Sequence, residues 1–179
     1  VKGDCREMRF MVTRYNNETW GQLLTYRENQ IESGGMGLHD CIYCAPIRVK
    51  ESIPVNELMI VFEMNNDTNE VMGLGLVKNY VYADKKYPIY KDKNYHRYIY
   101  KGKYRIKRED MKEKEEIYMK IFDLLLFKGK THLKRGQGLS EIPEKLYGNI
   151  KIGKDPIINL IREMFKVKDR FALPKTSVC

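Results

Sequence analysis

The stretch LMIVFEMNNDTNEVMGLGLV, residues 58–77, decides the fold. LMIVFEM (58–64) is almost continuously apolar, which predicts a core strand. NNDTNE (65–70) is a run of turn formers, and VMGLGLVKNYVYA (71–83) is the strand that returns. Gly73 and Gly75 lie two apart and share one strand face. That face carries no side chain at two positions, so a helix or a ligand can come close to the backbone there.

Before this hairpin, EMRFMVTRY (7–15) alternates in part and reads as a strand. NNETWGQLLTYRENQIE follows as a short helix capped by Asn16 or Asn17, with Trp20, Leu23, Leu24 and Ile31 facing inward. SGGMGLHD (33–40) is a glycine-rich loop, and CIYCAPIRV (41–49) is a strand interrupted at Pro46. After the hairpin, a polar connection (84–95) leads to HRYIYKGKYRI (96–106), a strand pair or one long strand with a turn at Gly102. The period then changes. Ile117, Ile121, Leu124 and Leu125 form the stripe of a buried helix face within 107–129. YGNIKIG (147–153) suits a short edge strand. DPIINLIREMFKVKD (155–169) starts a helix with Asp155 as cap and Pro156 in first position. The tail RFALPKTSVC is expected to pack loosely or not at all. With no internal repeat and no linker, residues 1–179 read as one α+β domain, a β-rich core with two or three helices.

Lys and Arg number 33 against 24 Asp and Glu, for a formal charge of +9. That excess favours a polyanionic partner over a neutral one or a membrane. No run of about eighteen apolar residues predicts a spanning helix, and VKGDCREMRF lacks a signal-peptide pattern. A chain that begins at Val1 reads as trimmed or processed. Cys5, Cys41, Cys44 and Cys179 are too few and too unevenly spaced for a disulfide framework. They read as reduced thiols of an intracellular protein, nuclear or cytoplasmic.

Between Lys78 and Arg108 the chain holds eleven Lys or Arg, two acidic residues and eight tyrosines. Cations attract phosphate and release counterions, and rings stack on bases at roughly 1–3 kcal/mol each. Tyrosine is also a good strand residue, so core packing competes with stacking at each position. A second basic cluster lies in FKGKTHLKRGQGLSEIP (127–143), where Gly136 and Gly138 let backbone N–H groups approach an anion. GQGLS is not a P-loop, and the GKT at 129–131 lacks the upstream glycine.

Cys41 and Cys44 stand at a zinc-chelating spacing, but no second pair follows, and His39 is too close to be one. Residue 41 follows Asp40 rather than Pro and no His-x-Glu precedes it, so a zinc deaminase is disfavoured. His39, His96 and His132 have no nucleophile nearby in sequence, and Glu57, Glu63 and Asp67 read as surface or hairpin residues. No metal, cofactor or catalytic residue is assigned.

The order of elements in CIYCAPIRVKESIPVNELMIVFEMNNDTNEVMGLGLVKNY resembles that of PUA-like domains of the EVE and YTH kind. A strand, a polar link with Pro54, an apolar strand, a turn and a glycine-containing return follow one another. The resemblance implies a twisted or barrel-like sheet with flanking helices over about 7–145, the last helix being an addition. It also implies binding of RNA or modified DNA, with a base taken into a pocket. Carried over by position, Trp20, Tyr15, Asn17 and Tyr43 are the pocket residues. Lys78, Lys101, Lys103, Arg105, Lys128, Lys130, Lys134 and Arg135 are the expected phosphate contacts. The expectation is a domain that binds RNA or single-stranded or flipped-base DNA. A nuclease and a structural or viral accessory protein-interaction factor are the alternatives.

Overall fold

An almost wholly apolar strand is stable only when both of its faces are covered, and the hairpin obtains that cover. In the computed structural model, which describes residues 8–148 and 154–168, the hairpin lies inside a five-stranded sheet. The strands are β1 (Arg9–Tyr15), β2 (Cys41–Ala45), β3 (Leu58–Asn65), β4 (Glu70–Lys78), β5 (Tyr98–Gly102), β6 (Tyr104–Lys107) and β7 (Ser140–Glu141). The helices are α1 (Asn17–Glu32), α2 (Glu113–Phe127), α3 (Glu144–Tyr147) and α4 (Lys154–Lys168). The main sheet runs β6-β4-β3-β1-β7, with β1 and β3 parallel and the other pairs antiparallel. β2 and β5 form a separate two-stranded ribbon.

Strand alternation sorts the core into layers. Phe10, Val12, Ile60, Phe62, Leu74 and Ile106 face Met119, Phe122 and Leu126 of α2 and Ile157, Ile161 and Phe165 of α4. Met11, Met59, Val61 and Val77 face the ribbon, where Cys41, Tyr43 and Tyr100 meet them. The outer side of the ribbon, Ile42, Cys44 and Ile99, is covered by Leu23, Trp20 and Tyr26 of α1 and by Tyr87, Ile89 and Tyr90. Each side chain fully buried in this way contributes roughly 1.5–3 kcal/mol.

Several expectations are corrected. The α+β architecture holds, but the sheet is not PUA-like and barrel-like. It is open, because its end strands β6 and β7 do not pair. Two features keep it open. β7 has only two residues. The chain also changes layers at Lys103, so β5 pairs with β2 and β6 pairs with β4 rather than with each other. α1 is a sixteen-residue helix, and it buries Arg27 as well as Leu23. On α2 the predicted stripe is rotated outward: Ile117 and Leu124 are 54% and 55% exposed. Asp123 fixes that rotation. Its Oδ1 accepts the Val71 N–H at 2.7 Å, and its carboxylate also pairs with Arg108, which tie that helix face to the start of β4. Tyr147 ends α3 rather than opening a strand, residues 149–153 and the tail lie outside the described residues, and α4 shares the main core. Among the described residues no helix is long and apolar enough to cross a membrane.

Candidate functional site

β1 and β3 run parallel, so their carboxyl ends lie side by side, and there the chain leaves the sheet in two directions. After β1 it enters α1, whose Asn16 cap and Thr19 bond each other reciprocally. After β3 it turns through Asn66, whose N–H donates to the Tyr15 carbonyl at 2.7 Å. The divergence leaves a crevice, the usual place for a ligand in open sheets. Here it is a cavity of about 220 Å³. Thr13, Arg14, Tyr15 and Asn66 line one side, Tyr90 and Tyr95 another, and Gly136–Gly138 a third.

The loop at 133–138 is held in place by bonds to this crevice. Arg14 donates Nε to the Leu133 carbonyl and Nη2 to Ser140 Oγ at 2.9 Å. Asn66 Nδ2 donates to the Lys134 carbonyl at 2.9 Å, and Lys134 Nζ to Asn69 Oδ1 at 2.7 Å. Gly136 and Gly138 have φ of 127° and 64°, values that suit glycine. A Cβ on Gly136 would also stand 3.1 Å from the Arg14 guanidinium.

Three polar atoms of the lining residues are buried with no hydrogen-bond partner in the protein: Arg14 Nη1, Tyr15 Oη and Asn66 Oδ1. Tyr15 is 5% exposed. The Thr13 and Tyr90 side chains lie near its hydroxyl and offset part of the upward pull of burial on its pKa, although neither meets the strict distance and angle of a hydrogen bond. Burial pulls the Arg14 pKa down to about 10, with no acidic partner opposing the shift. An unsatisfied buried polar atom costs roughly 1–3 kcal/mol, so such groups are uncommon in folded proteins. The three here are an N–H donor, an amide acceptor and a hydroxyl able to do both. The aromatic wall is braced from behind. Trp20 meets the Tyr15 ring edge-on at 5.2 Å, Tyr95 meets Tyr90 at 5.8 Å, and the Tyr90 N–H donates to His96 Nε2 at 3.0 Å.

A larger cavity, about 590 Å³, lies on the other side of α1's contact with the ribbon. Tyr26, Tyr82, Tyr87 and Tyr104 line it with Lys78, Lys85, Lys101 and Lys103. Lys101 Nζ bonds Asp84 Oδ2 at 3.0 Å and the Tyr87 hydroxyl, and sits 4.3 Å from the Tyr82 ring centre. Hydrogen bonds from Tyr87 and Lys101 hold Asp84 at about 2.

The twelve expected site residues separate. Tyr15 lines the smaller cavity, and Trp20 is half-buried behind it. Asn17 stands at the start of α1, where its N–H donates to Asp67 and its Oδ1 accepts from Asn65. Lys78, Lys101 and Lys103 line the larger cavity. Lys134 and Arg135 precede Gly136 in the loop that borders the smaller one, and neither they nor exposed Lys128 and Lys130 line one of these two cavities.

Tyr43 and Arg105 lie in the interior, 1% and 4% exposed, joined through Glu63 at 1%. Glu63 accepts from Tyr43 Oη at 2.8 Å and from Arg105 Nη2 at 2.6 Å. Burial opposes the Arg105 charge, but Glu63 outweighs it and raises the pKa. Glu63 is therefore a core residue, not a surface one. The glycine face of β4 receives this network rather than a helix or a ligand: a Cβ on Gly75 would stand 1.9 Å from Tyr43 Oη.

Cys41 and Cys44 are three apart on a strand and enter different core layers, so they do not face one ion. Burial pushes both thiols up to about 12. Among the described residues no three His, Cys, Asp or Glu side chains converge as a metal site.

Sequence reasoning missed Thr13, Arg14 and Asn66. Arg14 carried a signal, as a cation within a strand whose near neighbours include no carboxylate. Compared with known proteins, the chain matches no family model, no curated protein and no solved structure.

Proposed function

We propose that this protein binds single-stranded nucleic acid, RNA or flipped-base DNA, and takes one base into the smaller cavity. One observation carries the reading: Arg14, Tyr15 and Asn66, each with a buried polar atom that lacks a hydrogen-bond partner, line one cavity together with Tyr90 and Tyr95. A base edge offers donors and acceptors together, and its faces suit an aromatic wall. Lys134 and Arg135, beside the cavity, supply phosphate contacts that position the strand while the cavity reads the base. Single strands are preferred, since a paired and stacked base does not present its face. Reading of a modified base is the finer form of the same proposal.

The test is binding of a labelled strand of about ten nucleotides, as RNA, single-stranded DNA and duplex, across a salt series. Affinity falls linearly with the logarithm of salt, and the duplex binds more weakly. Tyr15→Phe removes the hydroxyl and keeps the ring, so the fold is retained while base-dependent binding weakens about fivefold or more, the equivalent of about 1 kcal/mol. Affinity indifferent to salt, or Tyr15→Phe binding as the parent does, overturns the reading.

A further inference from the structure

The two cavities share three elements. α1 gives Thr19 to the smaller and Tyr26 to the larger. β2 gives Cys44 to the smaller and Ile42 to the larger, two residues apart on one face, or roughly 7 Å. The segment between β4 and β5 gives Tyr90 and Tyr95 to one and Tyr82 and Tyr87 to the other. The larger cavity falls within the roughly 300–1,000 Å³ of sites that enclose whole small molecules, and the smaller falls below it.

The chemistry of the larger cavity is that of a ring with a phosphate. Its four lysines face two aspartates, Asp40 and Asp84. Lys103 pairs with Asp40 and Lys101 with Asp84. Lys78 and Lys85 are exposed and have no acidic partner among the described residues. Tyr26, Tyr82 and Tyr104 are half-buried, so part of each ring remains available. Lys101 is fixed against the Tyr82 ring and the buried Tyr87 ring, which places a cation beside a ring stacked there.

We propose that the larger cavity is a second subsite, which takes the nucleotide adjoining the one whose base enters the smaller cavity. This rests on the nucleic-acid reading above. Lys78 and Lys85 neutralise its phosphate, and Tyr26 and Tyr82 stack its base. The protein thereby holds two nucleotides of a strand, one at each end of α1's contact with β2.

The test compares five proteins on a labelled RNA of about ten nucleotides and on free adenosine monophosphate. They are the parent, Arg14→Gln at the smaller cavity, Tyr26→Leu and Lys78→Glu with Lys85→Glu at the larger, and Lys114→Glu with Lys120→Glu on α2. The last pair lies on the far layer of the molecule and carries the same change in net charge. The Lys78/Lys85 variant is expected to bind RNA about tenfold or more weakly and to lose about 0.7 of salt slope per lost phosphate contact. The Lys114/Lys120 variant should bind close to the parent. Tyr26→Leu keeps an apolar side chain over the core and is expected to weaken RNA binding about fivefold or more. RNA binding lowered by Arg14→Gln but unchanged by the Lys78/Lys85 and Tyr26 variants overturns the second subsite and leaves the base cavity standing. Equal losses from the two lysine pairs reduce the effect to net charge and also overturn it. Adenosine monophosphate binding as tightly as RNA, and lost in the Lys78/Lys85 variant, replaces the subsite with a free-nucleotide site. RNA binding unchanged by Arg14→Gln as well removes the nucleic-acid reading and the subsite with it.

Discussion

Gly75 has room for a hydrogen and nothing larger, because Tyr43 crosses its face on the way to Glu63. Gly75→Ala is expected to cost about 1–3 kcal/mol through overpacking. Tyr43→Phe costs about 1.5–3 kcal/mol, as a hydrogen bond to a buried carboxylate is lost. Because both act on one contact, the double variant loses less than the two together. Urea unfolding of the cycle measures this, and strictly additive losses would show that the contact is absent. The close approach at Gly73 and Gly75 was legible from their spacing; the approaching group was not. Glu63 sits between Phe62 and Met64 in an apolar strand, which was a sign of burial, but carboxylates are so seldom fully buried that the hairpin reading prevailed. Nothing local announces that a tyrosine from another sheet and an arginine from β6 will meet it there.

At the scale of elements, the segment between β4 and β5 has little regular structure and is pinned by its own hydrogen bonds. His96 is part of that. Its Nε2 accepts from the Tyr90 N–H, and burial lowers its pKa below the ordinary 6.5. The folded chain therefore binds fewer protons here than the unfolded chain. Its stability contribution is present above about pH 6.5 and is lost as pH falls through the lowered folded value. NMR titration of the His96 ring is expected to give a midpoint below 6.5, with unfolding stability declining over the same range; a midpoint at or above 6.5 contradicts the bond. The hairpin was legible from an apolar run and a polar turn, α1 from its Asn cap, and α2 from the change of period. The rotation of α2 was not, because Ile117, Ile121 and Leu124 form as good a helical stripe as Met119, Phe122 and Leu126. The choice between them was made by Asp123 reaching Val71 and Arg108, a tertiary contact. The exchange of partners at Lys103 was hidden for the same reason: Gly102 marks a turn but not which strands the two halves join.

For the whole molecule, the positive charge is spread but not uniform. Lys134 and Arg135 lie by the smaller cavity, and four lysines surround the larger, while Arg105 and Arg108 are committed to internal ion pairs. Of the eight tyrosines in 78–108, Tyr87, Tyr90 and Tyr100 are buried, so core packing claims part of that stretch, while Tyr82, Tyr87, Tyr90, Tyr95 and Tyr104 line one cavity or the other. Sequence could not reveal that Arg14, Tyr15 and Asn66 come together, since they converge only once β1 and β3 lie parallel with their carboxyl ends adjacent. The most direct measurement is a backbone NMR titration of the protein with a single-stranded RNA of about ten nucleotides. The predicted result is saturable shifts centred on the amides of Arg14, Tyr15, Asn66 and Gly136–Gly138. Saturable shifts confined to α2 and α4, with those amides unmoved, would contradict it.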